Sequence, residues 1–116
     1  MQQIQKIQLT SFRNYEFAEV DFSAPITIIT GPNGAGKTNL LEAISLFTPG
    51  KGMRGAGLTE IARAGANSWM LFSECGGYRI GTGLVEDAKK RIVKIDGELQ
   101  KGTNILASYV SCIWLT

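Results

Sequence analysis

Histidine is absent from the 116 residues. That removes zinc sites built from Cys and His and every catalytic triad that needs an imidazole base. Cysteine is nearly absent too, with only Cys75 and Cys112. They stand far apart in apolar, strand-like stretches and read as buried thiols of a reducing compartment, not as a disulfide framework. No apolar run approaches the roughly 18 residues that a membrane helix needs, so no membrane partner is expected. The N-terminus, Met1-Gln2-Gln3-Ile4-Gln5-Lys6, lacks the basic-then-apolar layout of a secretory signal, and the chain reads as cytoplasmic. Net charge is low as well, +2, which is too small to argue by itself for a nucleic-acid partner.

What is present is a globular composition, 44% hydrophobic and 19% charged, in a length that fits one small domain with a single modest core. Alternation over residues 5–12 predicts a strand, with Ile4 out of phase, so that the strand either bulges there or begins later. Residues 17–22 place Ala18, Val20 and Phe22 on one face and Glu19 and Asp21 on the other, a half-buried second strand. Ile26-Thr27-Ile28-Ile29-Thr30 is β-branched and suits a strand buried on both faces. From Lys37 the period changes. Leu40, Leu41, Ile44 and Phe47 fall at helical spacing until Thr48-Pro49-Gly50 ends the helix. A short helix is expected over Leu58–Ala64. Strands follow at Trp69–Cys75, Tyr78–Val85 and Arg91–Ile95, with hairpin signals at Gly76-Gly77 and Asp96-Gly97. A helical turn at Thr103–Ala107 and an apolar strand at Tyr109–Leu115 complete the pattern. The fold class is α/β in the mixed α+β sense. Residues 1–50 supply strands, a glycine-rich loop and its helix, and residues 51–116 supply mainly antiparallel strands.

The loop is Gly31-Pro32-Asn33-Gly34-Ala35-Gly36-Lys37-Thr38, a match to G-x-x-x-x-G-K-[ST]. A triphosphate concentrates negative charge in a small volume. Holding it requires successive backbone N–H groups turned inward, and glycines permit both the backbone angles and the close approach. The helix that begins near Lys37 adds unpaired N–H groups and the positive end of its dipole. Lys37 places a cation at the outer phosphates, and the Thr38 hydroxyl suits magnesium. In a chain of this composition the pattern arises by accident about once in a hundred sequences. The strand directly before it and the helix directly after it supply the context that such a loop requires. ATP with Mg2+ is the ligand read from these residues.

The run Gly31-Pro32-Asn33-Gly34-Ala35-Gly36-Lys37-Thr38-Asn39-Leu40-Leu41-Glu42-Ala43-Ile44 resembles the loop and helix of the RecF family. These are bacterial DNA replication and repair ATPases related to the SMC and ABC-type ATPase heads. Leu9-Thr10-Ser11-Phe12-Arg13-Asn14-Tyr15 resembles the family's N-terminal strand and turn. Val110-Ser111-Cys112-Ile113-Trp114-Leu115-Thr116 resembles its strand leading toward the Q-loop. The resemblance implies the N-terminal part of a P-loop NTPase head of the ABC/SMC type, carrying an antiparallel β subdomain. It implies that Arg13 and Asn14 lie near the nucleotide, that Asn33–Thr38 wrap phosphates and magnesium, and that Asn39 continues the site. It also puts Arg54 where such heads carry an arginine that links DNA contact to ATP use; a solvated loop arginine is the plain alternative. DNA, single-stranded or as gapped duplex, recombination-mediator proteins and a homodimeric partner follow as implied partners.

A complete head also needs a strand ending in Asp-Glu and a signature segment. Ile92-Val93-Lys94-Ile95-Asp96 is interrupted by Lys94 and followed by Gly97, so it reads as a hairpin. Ser73-Glu74-Cys75-Gly76-Gly77 lies too close to the loop and has extra residues for a signature. Without those parts the chain is expected to bind nucleotide weakly and turn it over negligibly. The edge of the 26–30 strand is expected to lack its neighbours and to favour self-association. Lys89-Lys90-Arg91 with Lys94 is the densest basic run, read as a solvated hairpin ahead of a DNA phosphate contact. Trp69 and Trp114 read as core, and Glu42 as a surface carboxylate ahead of a partner behind the site. Another P-loop protein (a small kinase or a transporter head) and a non-catalytic DNA-binding or interaction module remain as alternatives.

Overall fold

A computed structural model describes residues 4–22, 37–50, 57–85 and 90–110. Among the described residues six strands form one antiparallel sheet in the order β2-β1-β3-β4-β5-β6. They are β1 (Ile4–Phe12), β2 (Tyr15–Asp21), β3 (Trp69–Cys75), β4 (Tyr78–Leu84), β5 (Ile92–Ile95) and β6 (Glu98–Leu99). Two helices, α1 (Lys37–Ser45) and the single turn α2 (Leu58–Ile61), and a 3-10 turn at Asn104–Ser108 accompany them.

The β3–β4 and β5–β6 hairpins form where their turn chemistry allows. Gly76 and Gly77 both have positive φ, 58° and 85°, as do Asp96 and Gly97 at 51° and 84°. Two successive left-handed residues make the turn whose twist matches paired strands. The pairing between β1 and β3 shifts register between Ile4 and Lys6, which places the bulge where the alternation of the sequence breaks.

The alternation decides which face is buried. On β3, Trp69, Leu71, Ser73 and Cys75 point inward while Phe72 and Glu74 are exposed. Ile7, Leu9, Leu71, Ile80 and Val93 from four strands join Leu40, Ala43, Leu46 and Phe47 from α1 and its last turn in one core cluster. Trp69 is 1% exposed and meets the Phe12 ring edge-on at 5.8 Å, a core role for this tryptophan. Cys75 is a buried free thiol, and burial pushes its pKa above the usual thiol range. On the helix, Leu40 and Phe47 are buried and Ile44 packs against the core as the spacing suggests, whereas Leu41 is 46% exposed and Ala43 is buried in its stead.

The 26–30 strand, Gly31–Gly36, Arg54, Lys89, Cys112 and Trp114 lie outside the described residues, as does most of the 109–115 stretch; Tyr109 and Val110, which are described, are not in a strand.

Candidate functional site

The site is built where the β1–β2 turn meets α1. Ser11 and Arg13 both adopt left-handed backbone, φ 52° and 51°, at a cost of about 1 kcal/mol each. The end of α2 and the segment after it hold this kink in place. Arg13 N donates to Ile61 O at 2.8 Å, Arg63 N donates to Ser11 O at 2.7 Å, and Phe12 bridges Ala62. Arg63 Nη1 also donates to Asn14 O at 2.9 Å.

The kink turns the Arg13 side chain onto the helix. Its Nε donates to Glu42 Oε1 at 2.8 Å and its Nη2 to Glu42 Oε2 at 3.0 Å, a two-point ion pair. Its Nη1 donates to Glu60 O at 3.1 Å. Glu42 is fully buried, and its hydrogen bond is the main cause that raises the Arg13 pKa. Next to this pair, Asn39 Nδ2 donates to Asn14 Oδ1 at 2.8 Å. Arg13 and Asn14 are therefore brought onto the helix that begins at Lys37, at its first and second turns. The reading of Glu42 as a surface carboxylate is corrected: a buried carboxylate needs a partner, and Arg13 supplies it. One signal was available, since Glu42 is the single charged residue in α1 after Lys37.

The first turn of α1 itself carries no acidic side chain. Thr38 is exposed there. Among the described residues no cluster of acidic, Cys or His side chains could hold a metal ion. A magnesium ion at Thr38 fits this donor set only as part of a nucleotide complex, with phosphate oxygens as its other ligands.

The other end of α1 holds a residue that the sequence reading misplaced. Arg91 is 7% exposed, neither a solvated hairpin residue nor a phosphate contact. It is in phase with the inward-facing Val93 and Ile95, a parity that could have revealed it. Its guanidinium donates to Leu46 O, to Thr48 O at 3.3 Å and to Gly50 O at 2.7 Å, the carbonyls at and beyond the helix C-terminus. Burial lowers its pKa to about 10, so it keeps its charge at neutral pH. Lys90 and Lys94 are exposed. Asp96 sits in the β5–β6 turn and accepts the Arg79 backbone N–H at 2.8 Å, in keeping with a hairpin and not with a catalytic strand.

The fold is that of the N-terminal part of an ATPase head. It superposes on the recombination mediator protein RecF-ATP of the RecFOR pathway with a TM-score of 0.82, at 24% identity over 90% of this chain and 30% of that one. It superposes on the SMC head domain from Thermotoga maritima at 0.60, with 23% identity over 90% of this chain and 40% of that one. A family model described as an AAA domain matches residues 6–112, and the chain belongs to that AAA family. Among curated relatives, the DNA replication and repair protein RecF of Rhizobium leguminosarum bv. trifolii is 38% identical over 97% of this chain. The RecF of Caulobacter sp. is 42% identical over 95% of it. The chain spans 32% of the length of each of these relatives. Among the described residues no helix is long and apolar enough to cross a membrane.

Proposed function

We propose that the chain is the ATP-binding, N-terminal portion of a RecF-like DNA replication and repair ATPase. The observation that carries this reading is the loop Gly31–Thr38 leading directly into α1, whose first residue is Lys37. In this reading the backbone of Gly31, Pro32, Asn33, Gly34, Ala35 and Gly36 cradles the phosphates. Lys37 neutralises their outer oxygens, and Thr38 ligates magnesium. Magnesium, when bound, offsets the charge between the outer phosphates. Asn39 and Asn14 act beside the loop through their mutual hydrogen bond. Arg13 acts through Glu42, because its guanidinium already serves that carboxylate and Glu60 O.

The partners proposed for the whole protein are DNA, recombination mediators and a second copy of itself. Arg54 is proposed to couple DNA contact to the nucleotide. Support for these comes from the names of the relatives and from the resemblance of the motifs.

Calorimetry with Mg-ATP on this chain and on Lys37→Ala tests the reading. Saturable binding that the substitution abolishes supports it. Equal binding by both proteins, or heat absent from both, overturns the assignment of an assembled site to these residues.

A further inference from the structure

Arg91 is a buried cation that the nucleotide site does not use. Among the described residues it pairs with no carboxylate. Its acceptors are three backbone carbonyls (Leu46, Thr48 and Gly50) and Thr82 Oγ1 at 3.3 Å. Thr82, on β4, donates in turn to Ile92 O at 2.9 Å, which ties the bonded group to two adjacent strands. A guanidinium is suited to this task, since its planar fork reaches several acceptors at once and a helix C-terminus favours positive charge.

The three carbonyls are not random. The last turn of α1 is tightened: Leu46 N donates to both Glu42 O and Ala43 O, Phe47 N donates to Ile44 O and Thr48 N to Ser45 O. Gly50 then turns left-handed at φ 92°, with its N–H donated to Thr103 Oγ1 at 3.2 Å. Arg91 closes over the point where the helix ends. A nine-residue helix is a rod of about 13 Å. Fixing its C-terminal end against the sheet also fixes where its N-terminal end stands.

We propose that Arg91 is a positioning residue that locks the exit of α1 onto β4 and β5. Through that anchor it sets where the head of the helix, Lys37 and Thr38, stands for nucleotide. The second half of this statement rests on the nucleotide reading above. The first half, the anchor itself, does not.

The test uses the whole chain and three substitutions. Arg91→Met removes the donors, Arg91→Lys keeps the charge with a smaller reach, and Val93→Ala weakens the same strand without touching the carbonyls. Amide exchange is measured without nucleotide, and Mg-ATP affinity by calorimetry. In Arg91→Met, exchange over residues 46–50 rises about tenfold or more, while β1 and β3 change little. Mg-ATP binding weakens about fivefold, Arg91→Lys recovers part of both effects, and Val93→Ala reproduces neither pattern. The anchor is overturned if exchange in Arg91→Met rises uniformly or stays flat over 46–50. The coupling to nucleotide is overturned if Val93→Ala weakens binding as much as Arg91→Met does. If the parent chain binds no Mg-ATP, the nucleotide reading fails, and the exchange pattern alone decides the anchor. If Arg91→Met does not fold, Thr82→Val, which removes one acceptor, must show the same local exchange on a smaller scale, and its absence overturns the anchor.

Discussion

Arg13 and Glu42 are separated by 29 positions in the chain and joined by two hydrogen bonds of 2.8 and 3.0 Å. The pair ties the β1–β2 turn to the middle of α1. Removing one member of a buried pair leaves the other charge without its partner, which costs more than the pair contributes. Arg13→Ala is expected to destabilise the fold by about 2–4 kcal/mol, and Glu42→Gln by about 1–2 kcal/mol because the amide still accepts a hydrogen bond. Urea denaturation measures both. Losses under about 0.5 kcal/mol in both would show that the pair does not form in solution.

The bond between Asn39 and Asn14 makes a milder prediction. It is partly exposed, so Asn14→Ala costs only about 0.5–1 kcal/mol in stability. If the turn orders the start of α1 for nucleotide, Mg-ATP affinity falls by more than this stability loss accounts for. Calorimetry on Asn14→Ala, set beside its denaturation midpoint, separates the two effects. Unchanged affinity would remove Asn14 from the site.

Gly83 is required by packing and not by turn geometry. A Cβ at this position would fall inside contact distance of the Trp69 carbonyl oxygen and stand 3.0 Å from Met70 Cα, both backbone atoms of β3. Backbone cannot step aside as a flexible side chain can. Gly83→Ala is expected to cost at least about 2 kcal/mol. Gly81→Ala would meet the Phe72 ring, at 3.0 Å from Cε1, and is expected to cost less because the ring can turn. Equal midpoints for the two variants would refute this ordering.

Acid weakens the sheet at one defined place. Glu19 accepts from Gln8 at 3.0 Å and from Lys6 at 3.1 Å, and these bonds, Gln8 first, lower its pKa below the usual 4.5. A lowered carboxylate pKa gives stability that is present above the unfolded value and lost as pH falls through the folded value. The thermal midpoint of the parent should therefore approach that of Glu19→Gln as pH drops from above 4.5 toward 3. The gap at neutral pH is small, since both side chains face water. A gap that widens on acidification would contradict the assignment.

Much of the fold was legible from residues alone because local rules govern it. Alternation placed β2, β3 and β4 within a residue or two, and it marked the bulge near Ile4. The pairs Gly76-Gly77 and Asp96-Gly97 took the left-handed angles that their residue types favour. What failed concerns charge and burial. Arg91 looked like part of a solvated basic run, although its strand parity with Val93 and Ile95 pointed inward. Glu42 looked like a surface carboxylate on a helix whose apolar stripe was read with Leu41 in it, where Ala43 and Leu46 stand instead.

The sequence by itself determined that the chain carries a phosphate-loop motif in strand–loop–helix context, which strands pair through tight turns, and that these 116 residues offer no imidazole. These depend on neighbours in the chain, where backbone angles and side-chain period act directly. Only the tertiary structure decided the partners of Arg13 and Arg91. Burial of a charge becomes affordable only when acceptors arrive from distant segments: Glu42 and Glu60 O for Arg13, and the end of α1 for Arg91. Such acceptors have no period in the sequence. They exist only after the sheet and helix have packed.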